Sequence, residues 1–87
     1  MSGRDSVDSG LAVGESVRRK TIEVADLLRA FPAGSPALLD EAQRLADEQT
    51  RGAPAAVFAG VIANLPQPMS GETARAYGTR LLTGVQQ

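Results

Sequence analysis

The feature that most restricts the fold is an uncharged segment, residues 54–64, with the sequence PAAVFAGVIAN. A helix that is apolar on every side must be covered on every side by other elements. Its valines, phenylalanine and isoleucine also favour extended structure, so a strand is the competing interpretation. The alanines and the proline at the start favour a helix. We therefore predict a helix over 54–64 that the remaining helices surround.

Three further helices are predicted from apolar spacing and from helix-boundary residues. Apolar residues recur at alternating three- and four-residue steps from Val17 to Phe31, which predicts a helix over 15–30. Ser35 followed by Pro36 is typical of a helix start, with the serine as N-cap, and predicts a second helix over 36–50. Ser70 is the predicted N-cap of the last helix, which we expect to end near Gly84.

The first 14 residues are rich in Ser, Gly and Asp and show no apolar periodicity. Such a composition does not bury enough surface to offset the entropy lost on ordering. We predict a flexible tail over 1–14 and a single helical domain over 15–87. The predicted fold class is all-α, a compact bundle of about four short helices after a disordered N-terminal tail.

Large apolar side chains are scarce, because 14 of the 37 hydrophobic residues are alanine. A domain of this size has a small core, and small domains often need a disulfide, a metal or an oligomeric partner. The chain has no cysteine and no histidine, so an oligomeric or other protein partner is the expected addition. The predicted core consists of Val57, Phe58, Val61 and Ile62, met by Leu28, Phe31, Leu45 and Leu81.

The residue types present restrict the chemistry that the chain can perform. Without histidine and cysteine there is no side chain that titrates near neutral pH unaided, no thiol nucleophile and no thiolate zinc site. Carboxylates cluster on the second predicted helix, but seven residues of helix separate Asp40 from Asp47 by about 10.5 Å, too far to share an ion. We predict that the protein is not an enzyme and has no catalytic, cofactor-binding or metal-binding residues.

Neither nucleic acid nor a membrane is the expected partner. The net charge is −1, and the consecutive cations Arg18, Arg19 and Lys20 fan around a helix by about 100° each instead of forming one basic face. The most hydrophobic window, residues 53–65, is too short to span a bilayer, and the N-terminus lacks the apolar core of a secretory signal. We expect a cytoplasmic location. The excess of Arg over Lys and the many Ala and Gly residues suggest a bacterial source.

In length, acidity, helical organisation and the position of Ser35, the chain is similar to carrier proteins that bear a phosphopantetheine group. The Asp-Ser-Leu signature of that family is absent, since Gly34 and Pro36 flank the serine. The long first loop of the family is also missing, because only residues 32–34 separate the first two predicted helices. We therefore assign the chain to no family and interpret Ser35 as a helix cap.

The expected function is protein–protein contact without catalysis, as an accessory subunit, adaptor or regulator, most simply as a homodimer. Small residues on the third predicted helix allow another backbone to approach closely, and the predicted interface is Ala56, Ala59, Gly60 and Ala63, with Tyr77 at its rim. Two alternatives are a DNA-associated regulator of the antitoxin type and the small subunit of an enzyme whose catalytic residues lie in another chain.

Overall fold

The computed structural model of the protein describes the backbone of residues 2–86 and the side chains of residues 13–85. Its elements are four helices: α1 (Ser2–Arg29), α2 (Leu39–Gln49), α3 (Ala55–Ala63) and α4 (Ala74–Gln86). The predicted all-α bundle is confirmed, and the strand interpretation of residues 54–64 is wrong. Helix α1 begins at Ser2, before the predicted start at residue 15. The flexibility predicted for residues 1–14 stays a prediction, because the side chains up to residue 12 lie outside the described part of the chain.

Helix α1 is the centre of the bundle. It packs against each of the other three helices, and α2 also packs against α3. Thr21, Val24, Ala25 and Leu28 recur every three or four residues along α1, and all four are almost fully buried. The expectation that the uncharged helix would be surrounded is wrong, since α3 lies on one side of α1 with half of its residues exposed.

The core lies between α1 and the inner sides of the other helices. Among the eight core residues predicted from the sequence, Leu28, Leu45, Val57, Val61 and Leu81 are buried. Phe31 and Ile62 are partly buried against them, whereas Phe58 is 37% exposed. The remaining buried hydrophobic residues, not assigned to the core from the sequence, are Val24, Ala25, Ala42, Ala46, Leu65, Ala74 and Tyr77.

Two glycines allow helices to approach α1 closely. A Cβ atom at Gly78 of α4 would lie 2.7 Å from the carbonyl oxygen of Ala25 and 2.8 Å from Cγ of Arg29. A Cβ atom at Gly60 of α3 would lie 2.7 Å from Cγ2 of Val17. Real Cβ atoms do not approach other heavy atoms this closely, so both crossings depend on the missing side chain.

The connector between α1 and α2 (residues 30–38) pairs with the connector between α3 and α4 (residues 64–73), and this pairing sets the start of α2. Pro36 and Thr73 form an isolated antiparallel bridge, in which the Ala37 N–H donates to the Glu72 carbonyl at 3.0 Å and the Ala74 N–H donates to the Ser35 carbonyl at 2.8 Å. Because residues 35–38 are held in this extended pairing, α2 begins at Leu39 and not at residue 36. The prediction of Ser35 as an N-cap is therefore wrong.

The start of α4 also differs from the prediction. Gly71 has a φ of +78°, which ends any helix begun at Ser70. Thr73 is the cap instead, because its Oγ1 atom accepts a hydrogen bond from the Ala76 N–H at 3.2 Å. At the other end, α4 continues through Gly84 to Gln86, two residues beyond the predicted end.

The α1–α4 crossing predicts opposite effects for two glycine substitutions in the same helix. We expect Gly78→Ala to lower the free energy of unfolding by about 1–3 kcal/mol, because the new methyl group meets the rigid backbone of α1. Gly84→Ala meets no atom within 4 Å and should raise that free energy by about 0.5 kcal/mol through helix propensity. Urea unfolding followed by circular dichroism measures both. Equal effects of the two changes would contradict a tight crossing at Gly78.

Candidate functional site

Helix α3 is bounded by Pro54 and Asn64. Pro54 immediately precedes the first helical residue, and its carbonyl accepts hydrogen bonds from the Val57 and Phe58 N–H groups. At the other end the Nδ2 atom of Asn64 donates to the Gly60 carbonyl at 3.0 Å. The Gly60, Val61 and Ile62 carbonyls at the C-terminal end thus accept hydrogen bonds without the use of any charged residue.

The inner side of α3 fixes the helix to the bundle. Val57 and Val61, one helical turn apart, are 2% and 0% exposed. Gly60 lies next to them and faces Val17 of α1, so its lack of a side chain serves a contact within the chain. A substitution at Gly60 therefore disturbs the packing of α3 against α1, so its effect does not measure a contact with another molecule.

The outer face of α3 consists of five exposed residues without charge: Ala55, Ala56, Phe58, Ala59 and Ala63. Ala55, Ala59 and Ala63 follow one another at four-residue steps, about 6 Å apart along the helix axis. Phe58 flanks this row and is the largest member, with 37% of its surface exposed. The face is therefore a small-residue strip with one aromatic side chain at its edge.

The structure brings together three of the five predicted interface residues. Ala56, Ala59 and Ala63 share the outer face of α3. Gly60 is turned toward α1, and Tyr77 lies in the core with no exposed surface, so it does not border the outer face. Phe58 and Ala55 belong to the face, although Phe58 was expected in the core. In a helix that is apolar all round, the sequence contains no signal that distinguishes the inner from the outer side.

Tyr77 fixes the connector between α3 and α4. Its hydroxyl donates to the Pro66 carbonyl at 2.6 Å, and the Arg80 guanidinium lies over its ring at 5.4 Å. Burial raises the pKa of the Tyr77 hydroxyl, while the positive charge of Arg80 acts in the opposite direction. The apolar ring thus fills the core and the hydroxyl satisfies a connector carbonyl, which explains why an aromatic with a polar tip occupies this position.

An ion pair completes the attachment of this connector. The Arg80 Nε and Nη2 atoms each donate to a Glu72 carboxylate oxygen at 2.9 Å, and Nη2 also donates to the Gln67 carbonyl at 3.0 Å. The Met69 N–H donates to the same carboxylate at 3.0 Å. The Glu72 side chain is only 5% exposed. The Arg80 hydrogen bonds hold the pKa of Glu72 below its usual value.

The described residues offer little for other kinds of site. They contain no group of three or more Asp or Glu side chains placed to hold a metal ion. On α1, Arg18 and Arg19 are exposed, while Lys20 pairs with Glu23 at 3.5 Å. None of the helices, within the part of the chain described, has the length and apolar character needed to cross a membrane.

Comparison of the chain with protein-family models, with curated proteins and with solved structures finds no match.

The Glu72–Arg80 pair predicts how stability depends on pH. Because the Glu72 pKa is lowered in the folded state, the unfolded chain binds more protons between the two pKa values. Stability from this pair is present above the unfolded value of about 4.3 and is lost as the pH falls through the folded pKa. We expect Glu72→Gln to lower the free energy of unfolding at pH 7 by about 1–2 kcal/mol and to flatten its decline on acidification.

Urea unfolding at a series of pH values between 7 and 3 tests this expectation. Glu48→Gln is the matched control, because Glu48 pairs with Arg44 on the exposed side of α2. Loss of the Glu48–Arg44 pair should change the free energy of unfolding at pH 7 by less than about 0.5 kcal/mol. If Glu72→Gln followed the wild-type curve over the whole range, the pair would have no part in acid stability.

Proposed function

We propose that this protein is a non-catalytic protein–protein interaction module that forms a homodimer through the outer face of α3. The supporting observation is the composition of that face: its residues, Ala55, Ala56, Phe58, Ala59 and Ala63, are exposed, apolar and contiguous. Contiguous apolar surface of this kind is typical of interaction sites. The role is that of an accessory subunit, adaptor or regulator in the cytoplasm.

A second copy of the chain is the partner that fits this face. In a two-fold contact the same patch meets itself, so any charge on it would face a like charge. The outer face of α3 contains no charge and creates no such repulsion. A second protein with a polar or charged surface would bury its polar groups against this face without hydrogen-bond partners.

The shape of the face also suits a helix packing against its own copy. The row of Ala55, Ala59 and Ala63 has only methyl side chains, which allows two helix axes to approach closely. Phe58 at the edge of the row can pack over the partner helix and supply the large apolar contact that such a row lacks. Aromatic residues in this position often carry much of the binding energy of an interface.

The residue types of the chain support a role without catalysis. The sequence contains neither histidine nor cysteine, and Glu72, the best-buried carboxylate among residues 13–85, is already held by Arg80. A carboxylate with a lowered pKa beside an arginine is a weak general base at neutral pH. Binding is therefore the activity that the described residues support best.

A change on the outer face of α3 should separate the two copies. We expect light scattering coupled to size exclusion to give twice the 9.1 kDa mass of one chain for the wild type and a single-chain mass for Ala59→Arg. The arginine would place a like charge opposite itself across the two-fold contact. Ala76→Arg is the control: it adds the same side chain to an exposed alanine on α4 and should leave the dimer intact.

Circular dichroism of each variant should show the wild-type helix content, so that loss of the dimer is not loss of the fold. A wild-type dimer should also melt at a higher temperature as its concentration rises, and Ala59→Arg should not. A wild-type protein that stays monomeric at high concentration would overturn the proposal. So would a dimer that tolerates Ala59→Arg.

A further inference from the structure

A cavity of about 330 Å³ opens between α1, α4 and the chain that follows α3. Val17, Leu81 and Val85 supply apolar walls, while Arg18, Arg80 and Asn64 supply polar groups. The volume is near the lower end of the range of about 300–1,000 Å³ that is typical of small-molecule sites. None of the residues of the α3 outer face lines it, so the cavity is separate from the proposed dimer contact.

The charge of the cavity is of one sign. Among residues 13–85, two arginines line it and no acidic side chain does, although the whole chain carries a net charge of −1. Arg80 is held in place by Glu72 and Gln67 through its Nε and Nη2 atoms. Its Nη1 atom makes no hydrogen bond to the residues that the structure describes.

Arg18 provides the uncompensated positive charge. Its side chain is exposed at the rim, and it forms no ion pair with any of residues 13–85. A fixed arginine on α4 and an unpaired one on α1 therefore lie at the same opening, beside an apolar wall. Arginine is well suited to hold a planar carboxylate through two N–H groups.

We propose that this cavity binds a small amphipathic carboxylate, with the acid group at Arg18 and Arg80 and the apolar chain against Val17, Leu81 and Val85. The apolar wall distinguishes such a ligand from inorganic phosphate, which has no part to place there. The arginines distinguish it from a neutral alcohol or an amine of the same length. The cavity volume, equal to that of roughly ten water molecules, restricts the ligand to an alkyl chain of medium length.

Octanoate is the probe for this proposal, with octan-1-ol and inorganic phosphate as comparisons. In a titration followed by ¹H–¹⁵N correlation spectra, we expect octanoate to cause saturable shifts at the amides of residues 17, 18, 81 and 85, with a dissociation constant of about 1 mM. Octan-1-ol and phosphate should bind more weakly at these amides. The amides of Ala56 and Ala59 on the α3 outer face should not follow the same saturation curve.

Two pairs of variants separate the charged part of the site from the apolar part. Arg18→Gln should weaken octanoate binding about fivefold, while Arg19→Gln, next to it but outside the cavity lining, should leave it unchanged. Gly84→Leu fills the cavity from a position where an added Cβ meets no atom within 4 Å, and should abolish binding. Thr83→Leu, on the exposed side of α4, is its control.

The proposal is overturned by any of three results. The first is an absence of saturable shifts at the cavity amides with wild-type protein. The second is equal binding of octan-1-ol or phosphate, and the third is unchanged octanoate binding in Arg18→Gln or Gly84→Leu. None of the four substituted residues is buried, so we expect all four variants to fold. Circular dichroism spectra like that of the wild type would show that they do.

Discussion

At Gly78 the backbone of α4 lies directly against the backbone of α1, because no Cβ atom separates it from the carbonyl of Ala25. This approach places Tyr77 and Leu81, on the same side of α4, into the core beside Leu28. Between them on the same helix, Arg80 holds Glu72 and the Gln67 carbonyl. A wider crossing would move Tyr77 and Leu81 away from α1, so the packing of this part of the core depends on the missing side chain.

The second close approach, at Gly60, explains why α3 presents a free side at all. Gly60 lies against Val17 of α1, and Val57 and Val61 are buried in the core beside it. The residues on the opposite side of α3 are exposed among the part of the chain that the structure describes. A helix with a charged outer side would be a normal surface helix. Helix α3 has alanines and Phe58 there instead, and this apolar surface is the basis of the proposed contact with a second copy.

How much of this arrangement the sequence predicts depends on whether the signal is local. The four helices follow from apolar spacing, and the buried stripe of α1 from Thr21 to Leu28 is where the periodicity places it. The helix start at Ser35 was wrong because a local cap signal was overridden by the pairing of residues 36 and 73, which no local pattern encodes. The start at Ser70 was wrong because Gly71 adopts a positive φ and Thr73 caps α4 instead. An aromatic such as Tyr77 gives no indication of whether it borders a surface or fills a core.

The predicted interface, which stays a prediction, was chosen from small residues alone. Small residues indicate a close approach, but not whether the approaching backbone belongs to the same chain. At Gly60 it belongs to α1, whereas Ala56, Ala59 and Ala63 remain exposed. The cavity at Arg18 and Arg80 could not be predicted, since its walls come from residues more than 60 positions apart in the chain.

The bridge between Pro36 and Thr73 has a consequence for how the chain reaches its native state. It closes a loop that contains α2 and α3, and it lies beside the contact of the first helix with the last. Helices α2 and α3 are near neighbours in sequence and can meet early, but α4 must return to α1 across that whole loop. Docking of α4 is therefore expected to be the late, slow event in folding. A nascent chain would expose the side of α1 that α4 covers until residues 74–86 had been synthesised, which makes this side a target for a chaperone.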